Sequence, residues 1–430
     1  MDYTDHYVSD SIKDIANWIK SPLSPIKMGF CRKTMRPEPE WWVASYKLGN
    51  NPIGLFHSKR MAAAAGTSIF AEEAINKAVG EAAERYSSLN AHYVDQFETR
   101  EIDNTGRTQF VRCAPFEPCQ DSYKPMDKYP KPVEHTQVTR LTTGEKHWVP
   151  VEQVHLGYTR YDFSLMHTPP ISTGCAFFFD TNVAIWKGLC EVIERDAMMR
   201  FWQMMKKPTE VMIDDCKDYR LQLRLKRIND AGLRLKIFQI SEVVEVPTLY
   251  AILSGDTYPY FCIGASANAD IIKACTKAID EVMSIRMMAI WNGFKNEEEL
   301  NFKDFSWVDQ LETHMELYAN WKDSPAFDFF IHDSPKVTLK ELMQQDWIKE
   351  PQSEKELKEA AAQIESKGFT VMWKDITIPE VAPYGKVVKV LVPEMIPLSQ
   401  NFNARWLNGL IDSSKDPSEL NINPFPHPFS

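Results

Sequence analysis

The chain has 430 residues, 44% of them hydrophobic and 25% charged, with a formal net charge of −10. Those proportions exclude a disordered or fibrous protein and leave room for two to four packed lobes. The acidic balance argues against non-specific nucleic-acid binding and against a membrane-surface role, so neither a nucleic acid nor a membrane is expected as a partner.

The opening stretch, MDYTDHYVSDSIKD, is acidic and polar and does not have the apolar core of a secretory signal. No run of about 18 apolar residues occurs anywhere. Residues 1–60, including the strand-like WWVASYKLG, are expected to form part of one intertwined body with residues 61–430. Eight cysteines stand at 31, 113, 119, 175, 190, 216, 262 and 275, with no Cys-x-x-Cys pair. Reduced, mostly buried thiols in a cytoplasmic protein are the expectation. No zinc pattern, Walker loop or Gly-x-Ser-x-Gly motif is present.

Three segments in chain order share one design. Ala71 to Tyr86 has an apolar stripe (Ala71, Ile75, Ala78, Val79, Ala82, Tyr86) opposite Glu73, Lys77, Glu81 and Glu84, the spacing of an amphipathic helix. Val183 to Met198 repeats it with Lys187, Glu191 and Glu194, and Ile271 to Met287 with Lys277, Glu281 and Ser284. A lysine stands four residues before the key glutamate each time. Each helix follows a small-residue stretch read as a loop: AAAAGTS, STGCA and GASANAD. Strand, small-residue turn, helix is the recurring unit, and its repetition suggests an internal pseudo-repeat.

Between and beyond these units, HWVPVEQVHLGY, LRLKIFQI and KVVKVLVP read as strands. The polar stretch from Phe294 to Gly368 reads as an exposed, charge-rich helical insertion. The fold class is therefore mixed α/β. The chain closes on PFPHPFS, where Pro424, Pro426 and Pro428 make a stiff extended segment unable to join a helix.

Residues three apart on a helix face the same way, so Glu81 and Glu84 form one carboxylate pair and Glu191 and Glu194 another. A lone Glu-x-x-Glu-Arg face is usually a solvated stripe. Two such helices facing each other would supply four carboxylates, a hard-oxygen set suited to Mg2+. Arginines nearby (Arg85, Arg195, Arg286) could then hold a triphosphate.

These motifs together resemble the YcaO family of ATP-dependent enzymes that modify peptide amide bonds. The likeness rests on AVGEAAERYS (78–87), STGCA with GLCEVIERDAMMRFW (188–202), GASANADIIKACTKAIDEVMSIR (264–286) and DITIPEV…VVKVLVPEMIPL (375–398). It implies a YcaO-type fold around a nucleotide site, with Glu81, Glu84, Glu191 and Glu194 as magnesium ligands. Ser68, Lys187, Glu281 and Arg286 are implied at the nucleotide, with Arg85 and Arg195 ordering the carboxylates. One departure stands out: where the family continues from STGCA with small and polar residues, this chain has Phe177, Phe178 and Phe179. A Phe stripe of this kind is core packing more often than base stacking.

The proline tail resembles that of the azoline-forming cyclodehydratases, and so Pro424, Pro426, Pro428 and Ser430 are expected at the active site. The implied reaction converts Cys, Ser or Thr of a ribosomally made precursor peptide to thiazoline or oxazoline, using ATP and Mg2+. The implied partners are that peptide, a ubiquitin-activating-enzyme-like peptide-binding protein and a flavin (FMN) dehydrogenase subunit. Thioamide or amidine formation is the rival activity, and a non-catalytic scaffold subunit is the rival of a different class.

Overall fold

The computed structural model describes residues 12–19, 21, 24–48, 63–100, 112–113, 133–158, 171–213, 216–296, 299–406 and 422–429. Helix α1 (12–19) buries Ile15 and Ile19 in one cluster with Ile26, Ala44 and Tyr46 of an antiparallel sheet, ordered β1 (Ile26–Lys33), β2 (Trp42–Leu48), β3 (Ala63–Ser68). Helix α2 (Ala71–Asn90) follows.

A second sheet is assembled from both halves of the chain. It gathers β4 (Glu98–Arg100), β6 (Val133–Arg140) with β7 (Lys146–Pro150) beside it, β14 (Met372–Asp375), β15 (Lys386–Leu391) and β8 (Cys175–Phe178). A short ladder joins β5 (Arg112–Cys113) to β16 (Arg405–Trp406). Helix α3 (Thr181–Gln203) leaves β8.

The third sheet runs β12 (Phe261–Ala267), β11 (Thr248–Ser254), β10 (Arg234–Gln239), β9 (Thr209–Met212), β13 (Lys336–Thr338). Its helices are α4 (Tyr219–Asp230), α5 (Ile271–Asn292), α6 (Leu311–Asn320), α7 (Leu339–Leu342) and, further on, α8 (Glu354–Glu365).

The three units expected from sequence are β3–α2, β8–α3 and β12–α5. Each strand is the edge of its sheet. Each helix packs on its own strand and on the next unit's: α2 on β8, α3 on β12, α5 on β3. The result is a closed, pseudo-threefold ring of helices linking three sheets.

The small-residue stretches are corrected here. AAAGTS is strand β3, and FCIGASA is strand β12, with only Asn268 to Asp270 left to turn. Small residues are needed because helix and strand touch. A Cβ on Gly66 would lie 2.1 Å from the Ala74 carbonyl oxygen, and one on Gly264 would lie 2.7 Å from the Val282 nitrogen. Gly174 is a true turn residue, with φ +85. Asp180 and Asp270 cap α3 and α5 by accepting from backbone N–H groups of their first turns, while α2 starts without a side-chain cap.

The 294–368 stretch contains helices but is not an exposed appendage. Leu317, Tyr318, Phe327 and Phe330 are buried, β13 pairs in parallel with β9, and Leu357, Ala361 and Ile364 of α8 pack against Ile185 and Leu189 of α3. Its charges occupy outer faces, and the apolar residues between them seal the core. The six cysteines with described side chains are unpaired thiols, and five of them are buried.

Candidate active site

The same hydrogen bond recurs in all three units. The backbone N–H of Ala65 donates to Glu81 (2.8 Å), that of Gly174 to Glu191 (3.0 Å) and that of Ala265 to Glu281 (3.1 Å). Glu81 and Glu281 thus tie their helices to their strands, Glu191 ties α3 to the turn leading into β8, and the three become corresponding positions on the ring. Glu194, one turn further along α3, accepts from Ala267 N–H (2.9 Å) of the next unit's strand.

Equivalent placement brings the acids together. Burial raises Glu84 well above the usual carboxylate range, and the charges of Glu191 and Glu81 push it further, against Arg85 and Lys389. Glu194 is pushed up to about 8, by burial first; Glu281 and Glu191 add to the rise, and Arg195 and the Ala267 amide oppose it. Glu191 and Glu281 are raised as well, again chiefly by burial. Side chains on α2, α3 and α5, up to 200 positions apart, therefore share one electrostatic environment. They are not sealed off: 31% of the Glu81 and 29% of the Glu191 side chain still reach solvent, so they line a cleft.

The arginines of the two Glu-x-x-Glu-Arg motifs turn back on their own acids. Arg85 Nε donates to Glu81 (2.7 Å), and Arg195 lies 3.7 Å from Glu191 and 3.6 Å from Glu194. Both are i,i+4 pairs with the acid N-terminal, the favourable orientation.

Arg286 is not brought to this cluster. It is 3% exposed and donates from Nε (2.6 Å) and Nη2 (2.9 Å) to Glu38 and from Nη1 to the Pro259 carbonyl (3.0 Å). The reason is register. The residue equivalent to Arg85 and Arg195 in α5 is Ile285; Arg286 is one position later and points about 100° away. Ser68 is likewise engaged elsewhere, donating to Glu73 (2.6 Å) and accepting from Arg224. Lys187 sits with its ammonium 4.6 Å above the Phe178 ring. Phe177 joins the core around α2 and Phe178 the core around α3, both as packing residues.

The proline tail is docked. Trp202 Nε1 donates to the Phe425 carbonyl (3.1 Å), Tyr318 OH to that of Pro426, and His314 Nδ1 lies 2.7 Å from that of His427. Phe429 is 1% exposed, against Trp202 and Tyr250. Burial and His314 hold His427 well below its ordinary basicity, and Arg195 contributes, which puts the tail within electrostatic reach of the carboxylate cleft. Pro424 is exposed and Pro428 buried; Ser430 lies outside the described residues.

Sequence reasoning missed Lys389. It is 2% exposed on β15, donates to the carbonyls of Ile171 (2.8 Å) and Thr173 (2.6 Å), and lowers both Glu84 and Glu191. A charged residue inside the apolar run VVKVLVP was the available signal. Lys389 and Thr173 also line a small, largely apolar cleft of about 70 Å³ with Val192, Val392, Met395 and Trp406.

Five carboxylates offer the hard oxygens Mg2+ prefers, and their mutual repulsion is what a divalent cation relieves. Among the described residues no three acidic, His or Cys side chains close a metal shell by themselves. The set fits a cation that completes its shell with phosphate oxygens and water. Among the described residues no helix is long and apolar enough to cross a membrane.

A mixed α/β ring whose cleft is lined by paired glutamates and their arginines has the makings of a magnesium–nucleotide enzyme. The chain belongs to the YcaO family: the model of that family, YcaO cyclodehydratase, ATP- and Mg2+-binding, matches residues 65–396. Solved structures agree in fold. A heterocyclase in complex with substrate and cofactor superposes with a TM-score of 0.72 at 16% identity, over 98% of this chain and 57% of that one. This chain thus spans little more than half of that protein. YcaO from Methanopyrus kandleri, bound with AMPPCP and Mg2+, gives 0.64 at 17% identity over 90% and 91%. A chain of the E. coli microcin synthetase McbBCD complex gives 0.56 at 15% over 87% and 89%. No curated protein matches the sequence.

Proposed function

We propose that this protein is the ATP-dependent cyclodehydratase of a peptide-heterocycle synthetase, forming thiazolines or oxazolines from Cys, Ser or Thr of a ribosomal precursor peptide. The observation that carries this reading is that three corresponding helices hold Glu81, Glu191 and Glu281 on backbone amides and Glu194 on the next unit's strand, with Arg195 beside both Glu191 and Glu194. When bound, Mg-ATP supplies the γ-phosphoryl group, and Mg2+ offsets charge on it.

In the reaction, the substrate's thiol or hydroxyl attacks the preceding amide carbonyl carbon, forming the ring C–S or C–O bond and releasing its proton. The carbonyl oxygen takes the phosphoryl group, leaving ADP. Loss of phosphate with the amide N–H proton then forms the C=N bond. The protein's glutamates hold the cation, Arg85 and Arg195 hold the glutamates, and Lys389 tempers their repulsion. The apolar cleft beside Lys389 and Thr173 supports a peptide lying next to the phosphates.

The docked tail supports ring closure over thioamide or amidine formation, and Pro424, Pro426, Pro428 and Ser430 are assigned to shaping that end of the site. The microcin synthetase likeness supports working in a multi-subunit complex; the partners proposed from the family resemblance are a ubiquitin-activating-enzyme-like peptide-binding subunit and an FMN dehydrogenase. The test is mass spectrometry of precursor peptide incubated with Mg-ATP and the partner subunits. The peptide should lose one water per residue modified, and Glu191→Gln should lower the rate about a thousandfold with its fold intact. Peptide-dependent ATP hydrolysis without water loss would favour the rival activities, and no ATP turnover would favour a scaffold.

A further inference from the structure

We propose that Lys77, Lys187 and Lys277 form the subsite for the terminal phosphates of the nucleotide. The proposal rests on the reading that the carboxylate cleft binds Mg-nucleotide. The three lysines stand four residues before Glu81, Glu191 and Glu281, the glutamates bonded to the Ala65 and Ala265 strand amides and to the Gly174 amide just before β8. That shared register fixes the lysines on the ring too, about one helical turn from the acids.

Each helix offers its glutamate a lysine at i−4, and the first two add an arginine at i+4. Glu81 and Glu191 take the arginines. Acid before base is the better order for i,i+4 pairs, so Lys77 and Lys187 are not taken up by their own glutamates. Lys77 bonds instead to Asp280 (2.6 Å) and the Thr67 carbonyl (2.9 Å), and Asp280 is shared with Arg224 (2.8 Å). Among the described residues Lys277 makes no hydrogen bond or ion pair, and part of its side chain reaches solvent.

The lysines feel one another. Burial, then the charge of Lys277, holds Lys187 at about 8, with Lys273 adding to the effect and Glu350 and Cys190 opposing it. Lys277 is lowered by burial and then by Lys77, against Cys190, Glu194 and Glu350. Like charges therefore crowd one side of the cleft, a turn away from the crowded carboxylates. Such a charge pair matches an oligophosphate–magnesium complex: cation toward the glutamates, phosphate oxygens toward the ammonium groups.

Nucleotide and free oligophosphate share this chemistry, and the experiment separates them. Calorimetry on the full chain would compare Mg-ATP, Mg-ADP, Mg-AMP and Mg-tripolyphosphate, with thermal melts confirming that each variant is folded. Lys277→Gln should weaken ATP, ADP and tripolyphosphate about tenfold to a hundredfold while leaving AMP unchanged. Lys187→Gln should act in the same direction, and Lys277→Arg should recover most of the loss. Unchanged ATP and ADP binding in folded Lys277→Gln and Lys187→Gln overturns the subsite, as does an equal loss for AMP. Lys277-dependent tripolyphosphate binding by a protein that binds no nucleotide keeps the subsite and overturns the nucleotide reading.

Discussion

Helices α3 and α5 share a frame yet end differently. Both leave an edge strand through an Asp cap, and both tie a glutamate to a backbone amide, in the turn before β8 for α3 and in β12 for α5. Three residues later α3 carries Glu194 and α5 carries Ser284; four residues later they carry Arg195 and Ile285. The arginine of α5 comes one position late, and about 100° of rotation sends it to Glu38 instead of the cleft. Far along α3, the proline tail is fastened to Trp202, with nothing comparable described on α5. A repeated frame thus fixes where a charge can stand, and a one-residue offset decides whether it serves chemistry or cohesion.

The largest expected effect on stability lies where α3 holds the tail. Phe429→Ala should cost about 3–5 kcal/mol, because the ring is wholly inside a cluster with Trp202, Tyr250 and Phe330. Denaturant titration would show it. A terminal strip ordinarily contributes little to a core; the burial of Phe429 and His427 predicts otherwise here. A loss under about 1 kcal/mol would mean the tail is not docked this way.

Arg286→Met should cost somewhat less, about 2–3 kcal/mol. It leaves the Glu38 carboxylate without its bidentate partner, but that carboxylate keeps 20% exposure. The folded fraction should bind Mg-ATP as the wild type does. Weakened nucleotide binding with an unchanged melting curve would return Arg286 to the phosphates and erase the contrast between the helices.

The smallest effect separates the helices by pH. Glu84, Glu191, Glu194 and Glu281 all hold protons to higher pH when folded than when unfolded. The folded state therefore binds more protons above the ordinary carboxylate range, up to about pH 8 for Glu194, so without Mg2+ stability falls as pH rises through that window. Glu194→Gln should flatten the slope and raise the melting temperature at pH 8 by about 2 °C. A melting temperature that climbs with pH over the same range would mean these acids are not crowded.

The three helices, their lysine–glutamate spacing and the two Glu-x-x-Glu-Arg motifs were legible because periodicity and i,i+4 chemistry are local. So was the resemblance that named the family. The apolar residues of α8 were legible too, but charge on its outer face drew the reading toward an exposed insertion. Other features had no local signal. A glycine reads the same in a loop as in a strand pressed against a helix, and only the 2.1 Å approach at Gly66 tells them apart. Arg286 looks like a phosphate clamp until Glu38, 248 positions earlier, is seen beside it. Nothing local says that Lys77 pairs with Asp280, 203 positions later, instead of with Glu81. The sequence by itself determined which helices carry charge and at what spacing. Only the tertiary structure decided which charges meet, because that depends on how three edge strands orient three helices around a common cleft, and strand pairing joins segments hundreds of residues apart.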